Sequence, residues 1–208
     1  LKSQTFDSDR VNVFIDGKFQ FGLRLEQVVE FKLKIGQTIN SERLERLQRA
    51  SHFGVMYQRA LKYCLLRPRS TREVYDYLWR IAQPKQLKSG RQTSGYPLEL
   101  IELVTVRLTK KDYLNDQQFA HWWVSNRRLR TGISKRKLRL ELIKKGLARE
   151  LIEQTLLETG RDDNSELQKL IAKKAKRYSD PTKLTRYLVG QGFSYEEVRS
   201  ACQNLESN

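Results

Sequence analysis

The residue types that could support metal or nucleophilic chemistry are few in this sequence and do not cluster. The two histidines and two cysteines stand alone: His52, His121, Cys64 and Cys202. No HxxxH, HExxH or CxxC pattern supplies the several ligands that a metal site requires. The nucleotide-binding loops GxxxxGK[ST] and GxGxxG are absent, as is the GxSxG turn of serine hydrolases. The sequence therefore predicts no metal and no cofactor.

Paired carboxylates beside a basic cleft would instead indicate a metal-dependent nuclease. Asp112 and Asp116 are the nearest pair, but they lie at a predicted helix junction, where capping of helix N-termini accounts for both. We find no catalytic constellation and predict that the protein is not an enzyme. A nuclease or RNA-processing enzyme is the disfavoured alternative, which metal-dependent cleavage of nucleic acid would revive.

Positive charge is the main chemical property of the chain. Its 208 residues include 40 Lys and Arg against 24 Asp and Glu, for a formal net charge of +16. The densest stretch runs from residue 127 to 150, where only Glu141 and Glu150 oppose ten basic residues. These are Arg127, Arg128, Arg130, Lys135, Arg136, Lys137, Arg139, Lys144, Lys145 and Arg149. Because a solvated helix face normally mixes charges of both signs, this stretch predicts contact with nucleic-acid phosphates.

The elements that carry this charge form an internal repeat with a helical period of 3.6 residues from about residue 51. Ser70, Ser134 and Asp180 are predicted helix N-caps, each followed at four and eight residues by apolar side chains. Gly146 and Gly192 come 12 residues after the second and third caps, where a glycine terminates a helix. The offset between the second and third repeats is 46 residues, which places Arg127, Arg128 and Arg130 at Lys173, Lys174 and Lys176. These three lysines and the adjacent Arg177 complete the predicted DNA- or filament-binding set.

The first repeat is longer than the others because a polar stretch, residues 83–97, interrupts it. We predict a flexible insertion there, and a second short joint at residues 158–166. Ahead of the repeats, residues 11–23 predict a β-hairpin that turns at Asp16-Gly17. A short helix is predicted at residues 25–33, and another from Ser41.

Aromatic residues near these elements raise the question of which rings are buried. Phe19 and Phe21 alternate with Gln20 and are predicted to line the buried face of the hairpin. Trp122 and Trp123 are neighbours on a predicted helix, so their side chains point about 100° apart. One is predicted to pack inside and the other to half-cover a joint between repeats. An exposed ring that stacks on a base or docks a partner is the alternative.

These elements predict a mostly α-helical fold of three tandem three-helix repeats in an elongated, curved body, with an N-terminal extension of a β-hairpin and short helices. The predicted boundaries are 1–48 for the extension and 49–114, 115–160 and 161–208 for the repeats. No stretch of 18 apolar residues and no signal peptide occurs, so we expect a cytoplasmic protein that does not contact a membrane.

The order and spacing of several motifs closely resemble those of the RecX family. They are Arg67-Pro-Arg-Ser70-x-x-Glu73-Val-x-x-Tyr77-Leu78, Tyr113-Leu-Asn-Asp116-x-x-Phe119-Ala120-x-x-Trp123-Val124, and Leu138-x-x-Glu141-Leu142-x-x-Lys145-Gly146-Leu147. The hairpin sequence resembles the N-terminal extension of many members. The resemblance implies a regulator of the RecA recombinase in bacterial DNA repair, recombination and the SOS response. Such a protein associates with the RecA–DNA filament, in its groove or at its end. It limits filament extension and the ATPase, recombinase and coprotease activities of RecA, and many members also bind single- or double-stranded DNA.

A monomer is expected, and a second interpretation stays open. A stand-alone DNA-binding protein could be built from three-helix units that work like helix-turn-helix domains. It would need a helix that presents side chains to base edges, and it would bind DNA with sequence preference in the absence of RecA.

Overall fold

The computed structural model describes residues 1–3, 9–86, 90, 92–130, 132–178 and 180–206, with side chains at all of these positions except 127–130, 176 and 204–206. The chain divides into two compact units. The first consists of Leu1–Arg67 and Val74–Leu114, and the second of Pro68–Glu73 and Asn115–Asn208.

The first unit begins with a three-stranded antiparallel sheet in the order β1 (Lys2–Ser3), β2 (Arg10–Ile15) and β3 (Lys18–Arg24). The predicted turn between β2 and β3 is confirmed, since Asp16 and Gly17 both have a positive φ, at 49° and 76°. Such a pair of left-handed residues matches the twist of the two strands that it joins.

The prediction that Phe19 lines the buried face of the hairpin is wrong. A register shift between Val13 and Phe14 pairs Val13 with Phe21 but Phe14 with Phe19, which leaves Gln20 without a partner across the ladder. A bulge of this kind breaks the alternation of faces along a strand. Phe21 is therefore buried, whereas Phe19 is 58% exposed.

Two helices follow the sheet. α1 (Leu25–Glu30) is shorter than the predicted helix at 25–33, because the chain turns through a positive φ at Lys32. α2 (Ser41–Leu65) begins where predicted, but its cap is Asn40, whose side-chain oxygen accepts a hydrogen bond from the backbone N–H of Arg43 at 2.9 Å. The sheet packs on α2 through an apolar cluster of Val13, Phe21, Leu23 and Leu47.

α3 (Thr71–Ala82) and α4 (Glu99–Lys110) pack with α2 around a second apolar core that includes Met56, Leu78 and Val104. Between them, the backbone N–H groups of Lys85 and Thr93 donate to the Thr93 hydroxyl and the Lys85 carbonyl, each at 2.9 Å. The described part of the stretch 83–97 is thus a small hydrogen-bonded hairpin, which the prediction of a flexible insertion did not anticipate. Residues 87–89 and 91 of that stretch lie outside the described residues.

The second unit contains six further helices in its described residues. The ranges are α5 (Asp116–Arg130), α6 (Lys135–Lys144), α7 (Arg149–Glu158), α8 (Asp163–Lys174), α9 (Pro181–Gly190) and α10 (Tyr195–Glu206). A 3₁₀ turn, Ala175–Arg177, follows α8. One apolar core lies among α5–α7 and includes Phe119 and Leu138, and another lies among α8–α10 and includes Leu188 and Phe193. The predicted joint at 158–166 is shorter than expected, because α8 already begins at Asp163.

The predicted helix ends are confirmed. Ser134 and Asp180 accept hydrogen bonds from backbone N–H groups in the first turns of α6 and α9, at 3.2 and 2.8 Å. Gly146 and Gly192 have φ values of 82° and 96°. The fold is mostly α-helical with a small N-terminal sheet, as predicted. Across the described residues, no helix combines the length and the apolar character needed to cross a membrane. The repeat boundaries stay a prediction.

Candidate nucleic-acid interface

Helix α6 lies in the centre of the predicted basic surface, and its position follows from its own apolar side chains. Leu138 and Leu142 are fully buried and fix one face of the helix against the core of α5–α7. The opposite stripe is therefore exposed, because residues four, seven and eight positions apart share a helix face. It consists of Arg136, Leu140, Ile143 and Lys144. Leu140 and Ile143 are 53% and 41% exposed, so two apolar side chains separate two cations.

Three other basic residues of the predicted set hold the second unit together. The Lys137 ammonium donates to the Gly190 carbonyl at 2.8 Å and to the Gln191 side-chain oxygen at 3.0 Å. The Arg139 guanidinium binds both carboxylate oxygens of Glu153, and this hydrogen bonding lowers the pKa of the Glu153 carboxyl. These two cations already have protein partners, so contact with a phosphate would have to compete with those bonds.

Lys145 is the third. Its ammonium lies 2.6 Å from a carboxylate oxygen of Glu73 and 4.9 Å from the centre of the Trp123 ring. The Glu73 side chain is only 12% exposed. A cation held by a nearly buried carboxylate and an aromatic face stabilises the packing around it.

The remaining predicted residues divide between exposed and half-buried positions. Lys173 and Arg177 are exposed, whereas Lys174 is half-buried, with its ammonium 5.7 Å from the centre of the Tyr187 ring. Lys135 is half-buried at the start of α6, where its backbone N–H donates to Asp163 at 2.9 Å. The side chains of four predicted residues lie outside the described part of the chain: Arg127, Arg128, Arg130 and Lys176.

The adjacent tryptophans differ from the prediction that one ring packs inside. Trp122 and Trp123 are both half-buried, and each packs against Phe119 at the edge of the core, with ring centres 6.0 and 5.7 Å from that of Phe119. The Trp123 indole N–H also donates to Glu141 at 3.0 Å. A ring nitrogen of His121 lies 3.1 Å from a carboxylate oxygen of Glu158 on α7.

The structure also assigns a bonding role to one of the two carboxylates considered for nuclease chemistry. Asp116 accepts a hydrogen bond from the backbone N–H of Thr71 at 2.8 Å. Asp112 lies after α4 and has a positive φ of 58°. These positions agree with the interpretation of Asp112 and Asp116 as helix-junction residues.

One buried ion pair in this unit was not predicted by any sequence pattern. Arg161 and Glu166 lie 3.4 Å apart, with side chains only 2% and 8% exposed, and the same guanidinium nitrogen of Arg161 donates to the Ile133 carbonyl. Both residues fall in the stretch that the sequence identified only as a joint. The hydrogen bond from Arg161 to the Ile133 carbonyl links the residues at the start of α8 to the segment before α6.

Four cations of the predicted set are available for contact with solvent or a ligand. The described side chains of Arg136, Lys144, Lys173 and Arg177 are exposed and form no ion pair with the described residues. Arginine and lysine at such positions neutralise backbone phosphates and orient a protein on nucleic acid.

Comparison with known proteins identifies two separate segments of the chain that match family models. Residues 1–40 match the family described as "Regulatory protein RecX N-terminal domain", and residues 115–156 match "RecX, second three-helix domain". The second match covers α5 and α6 and most of α7. It therefore includes the exposed stripe of α6.

Whole proteins and solved structures agree with these matches. The chain is 29% identical to the regulatory protein RecX of Bacillus licheniformis and 28% identical to that of Bacillus subtilis, in each case over 99% of this chain and 76% of the relative. A crystal structure of regulatory protein RecX has the same fold, with a TM-score of 0.71 and 20% identity over 97% of this chain and 96% of the other. RecX from Lactobacillus salivarius gives a TM-score of 0.58 at 24% identity, over 76% of this chain and 99% of the other. Two family matches at separate places in the chain, together with relatives that span nearly all of it, support the RecX family of regulatory proteins as the family of this chain.

Proposed function

We propose that this protein is a negative regulator of RecA. It binds the RecA–DNA filament, in its groove or at its end, and limits the extension of the filament. The ATPase, recombinase and coprotease activities of RecA then fall. Similarity to the RecX family supports the choice of partner, and the exposed stripe of α6 is the observation that supports an accessory contact with DNA.

A second feature supports a partner that is itself repetitive. The middle helices of the three predicted repeats share one exposed apolar position, nine residues after each predicted cap, and it is occupied by Trp79, Ile143 and Val189. These side chains are 49%, 41% and 41% exposed. A recombinase filament presents the same protein surface at regular intervals. A chain that repeats its exposed apolar residue is suited to such a surface, because apolar anchors supply much of the energy of protein–protein contacts.

The mechanism rests on differential affinity. A binding protein shifts an assembly equilibrium only when it binds one state, or one end, more tightly than another. Binding at a growing end acts at low stoichiometry, whereas coating a groove requires many copies. The basic stripe of α6 would contact phosphates of the filament's DNA, while the apolar residues would contact RecA.

The test is the ATPase activity of RecA that depends on single-stranded DNA, titrated with this protein far below the concentration of RecA. We expect inhibition at a small fraction of RecA's concentration. Ile143→Asn combined with Val189→Asn is expected to weaken that inhibition while affinity for free DNA changes little, because neither change alters the charge of the protein. Both residues are exposed, so the fold should survive. Leu157→Asn is the control, since Leu157 is 80% exposed on α7 and lies outside the repeated register.

A different concentration dependence of the inhibition would favour another function. Inhibition that appears only when the protein is abundant enough to cover all the DNA would indicate competition for phosphates. The alternative of a stand-alone DNA-binding protein with helix-turn-helix-like units would then be favoured, and sequence preference without RecA would establish it.

A further inference from the structure

The first unit contains a groove that the proposed contacts of α6 do not use. It has a volume of about 800 Å³, within the range of about 300–1,000 Å³ that is usual for ligand pockets. α1, α2 and α4 supply most of its walls. A smaller cavity of about 210 Å³ adjoins it and shares four residues with it, namely Arg24, Gln27, Gly54 and Gln58.

Helix α2 presents basic and aromatic side chains to this groove in sequence along one face. Arg46 and Arg49 come first, and Phe53 and Tyr57 follow at the spacing of successive helical turns. The rings of Phe53 and Tyr57 are nearly parallel, with centres 6.0 Å apart and planes inclined by 15°. Both rings are half-buried, so each leaves part of its surface open to the groove.

Helix α4 also lines the groove. Along α4 the apolar residues precede the basic ones, whereas along α2 the basic residues come first. Leu100 and Leu103 come first, and Arg107 and Lys111 follow. Arg49 of α2 lies 3.4 Å from Glu99 at the start of α4, so the apolar end of the α4 stripe lies near the basic end of the α2 stripe. Cations therefore occur at both ends of the groove.

Arg107 lines the groove together with Tyr57 and Tyr113. Burial raises the pKa of the Tyr57 hydroxyl, nearby Tyr113 raises it further, and the positive charge of Arg107 opposes the rise. Tyr113 follows α4 and is 43% exposed.

The balance of charge favours an anionic ligand. Eight basic side chains line the groove and the adjoining cavity, against two acidic ones, Glu26 and Glu30. The basic residues are Arg10, Arg24, Arg46, Arg49, Arg59, Lys62, Arg107 and Lys111. Arg46 and Arg49 form ion pairs that are more than half exposed, which contribute little and exchange readily. Arg107, Lys111 and Lys62 form no ion pair with the residues that the structure describes.

We propose that this groove binds a short segment of single-stranded nucleic acid, with phosphates at the basic rim and bases on the rings of Phe53, Tyr57 and Tyr113. Single strands alternate an anionic phosphate with a flat base, and proteins bind them with charged grooves that contain aromatic rings. A duplex does not fit this chemistry, because its bases are already stacked on one another. An acidic peptide would match the cations but would leave the rings without flat partners.

The proposal adds a contact with DNA at a place in the chain other than α6 and does not require RecA. It is tested by the affinity of the full chain for a fluorescent deoxythymidine octamer. Arg107→Ala with Lys111→Ala removes two exposed cations of the groove. We expect the salt slope of the binding constant to become less steep by about 1.4, since each phosphate contact on a single strand contributes about 0.7. Lys18→Ala with Lys110→Ala is the control, because both lysines are exposed and neither lines the groove.

The rings are tested separately. Tyr113→Ala is expected to raise the Kd about fivefold or more, as loss of one stacking platform does, whereas Tyr113→Phe keeps the ring and the affinity. All groove changes are repeated in a chain that carries Arg136→Ala and Lys144→Ala. DNA binding by the groove is then measured separately from DNA binding by α6. Photocrosslinking of an octamer with one 5-iododeoxyuridine should label Phe53, Tyr57 or Tyr113.

Two results would overturn the proposal. One is an unchanged Kd and salt slope in the folded groove variants, with fold checked by circular dichroism. The other is binding of a fluorescent glutamate octapeptide that depends on Arg107 and Lys111 while the deoxythymidine octamer shows no such dependence. The groove would then be a site for an acidic protein segment.

Discussion

Arg161 is a charged residue that lies inside the protein and binds other protein groups instead of facing solvent. Its side chain is 2% exposed, and its guanidinium lies against the Ile133 carbonyl and the Glu166 carboxylate. Glu166 also lies 3.4 Å from the Lys169 ammonium, but the Lys169 side chain is 62% exposed. The Glu166 carboxylate therefore has two cationic partners, of which Arg161 is buried and Lys169 is exposed to solvent.

Removing the buried partner should cost far more stability than removing the solvated one. We expect Arg161→Ala to lower the free energy of unfolding by about 3 kcal/mol or more, because it leaves a buried carboxylate poorly compensated. Lys169→Ala should change it by less than about 1 kcal/mol, as exposed pairs do. Urea unfolding followed by tryptophan fluorescence measures both. Equal losses in the two variants would show that the Arg161 pair is not buried in solution.

The same distinction explains how far the sequence predicted the basic surface. The positions of the charges were evident from the sequence, and the exposure of Arg136 and Lys144 follows from the helical period. The hydrogen bonds of the Lys145 and Lys137 ammonium groups could not be predicted. Their partners, Glu73 and Gly190, are 72 and 53 residues away along the chain. Pairing across such distances depends on how the helices pack, and neither composition nor local charge balance contains that information.

At the scale of elements, the same interhelical joint occurs twice within the second unit. In this joint, a backbone N–H at the start of one helix donates to an aspartate at the start of another. The backbone N–H of Thr71 donates to Asp116, and that of Lys135 donates to Asp163, at 2.8 and 2.9 Å. In each case the first residue of one helix binds the aspartate that begins a later one. The position equivalent to Lys135 in the third repeat is Pro181, which has no N–H to donate. The series of joints therefore ends there.

Each joint also brings a helix-ending glycine close to the first turn of another helix. A Cβ at Gly146 would lie 2.6 Å from the Cβ of Arg72, and one at Gly192 would lie 2.7 Å from the Cβ of Lys137. Backbone hydrogen bonds hold this approach, as from the Ser134 N–H to the Gln191 carbonyl at 3.1 Å. The sequence predicted both glycines from helix termination, which is local. It did not predict the close approach, which depends on a neighbouring helix.

Two glycines at the end of α9 provide a matched test of this joint. Gly192→Ala should lower the free energy of unfolding by about 2 kcal/mol or more, because alanine disfavours a left-handed φ and its Cβ would press on Lys137. Gly190→Ala should instead raise it by up to about 1 kcal/mol, since Gly190 is helical and no atom lies within 4 Å of its added Cβ. Thermal unfolding of the two variants measures the difference. Destabilisation by Gly190→Ala and none by Gly192→Ala would refute the joint.

Over the whole molecule, a net charge of +16 predicts affinity for nucleic acid but does not say which cations provide it. The structure separates two classes. Some cations are exposed and form no ion pair with described residues, such as Arg136 and Lys144. Others are held by protein acceptors, such as Lys137 and Lys145. Only the first class can release counterions from DNA without breaking contacts inside the protein.

This division predicts different effects for equal losses of charge. Arg136→Ala with Lys144→Ala should make the salt slope for single-stranded DNA less steep by about 1.4 and leave stability nearly unchanged. Lys137→Ala with Lys145→Ala removes the same charge but should leave the salt slope unchanged. It should lower the free energy of unfolding by about 2 kcal/mol or more, because charged hydrogen bonds are lost. Affinity measured across a salt series, together with urea unfolding, tests both pairs. Equal changes of slope would mean that the internal contacts open when DNA binds, and that the total charge of the chain, rather than its arrangement, governs the contact with DNA.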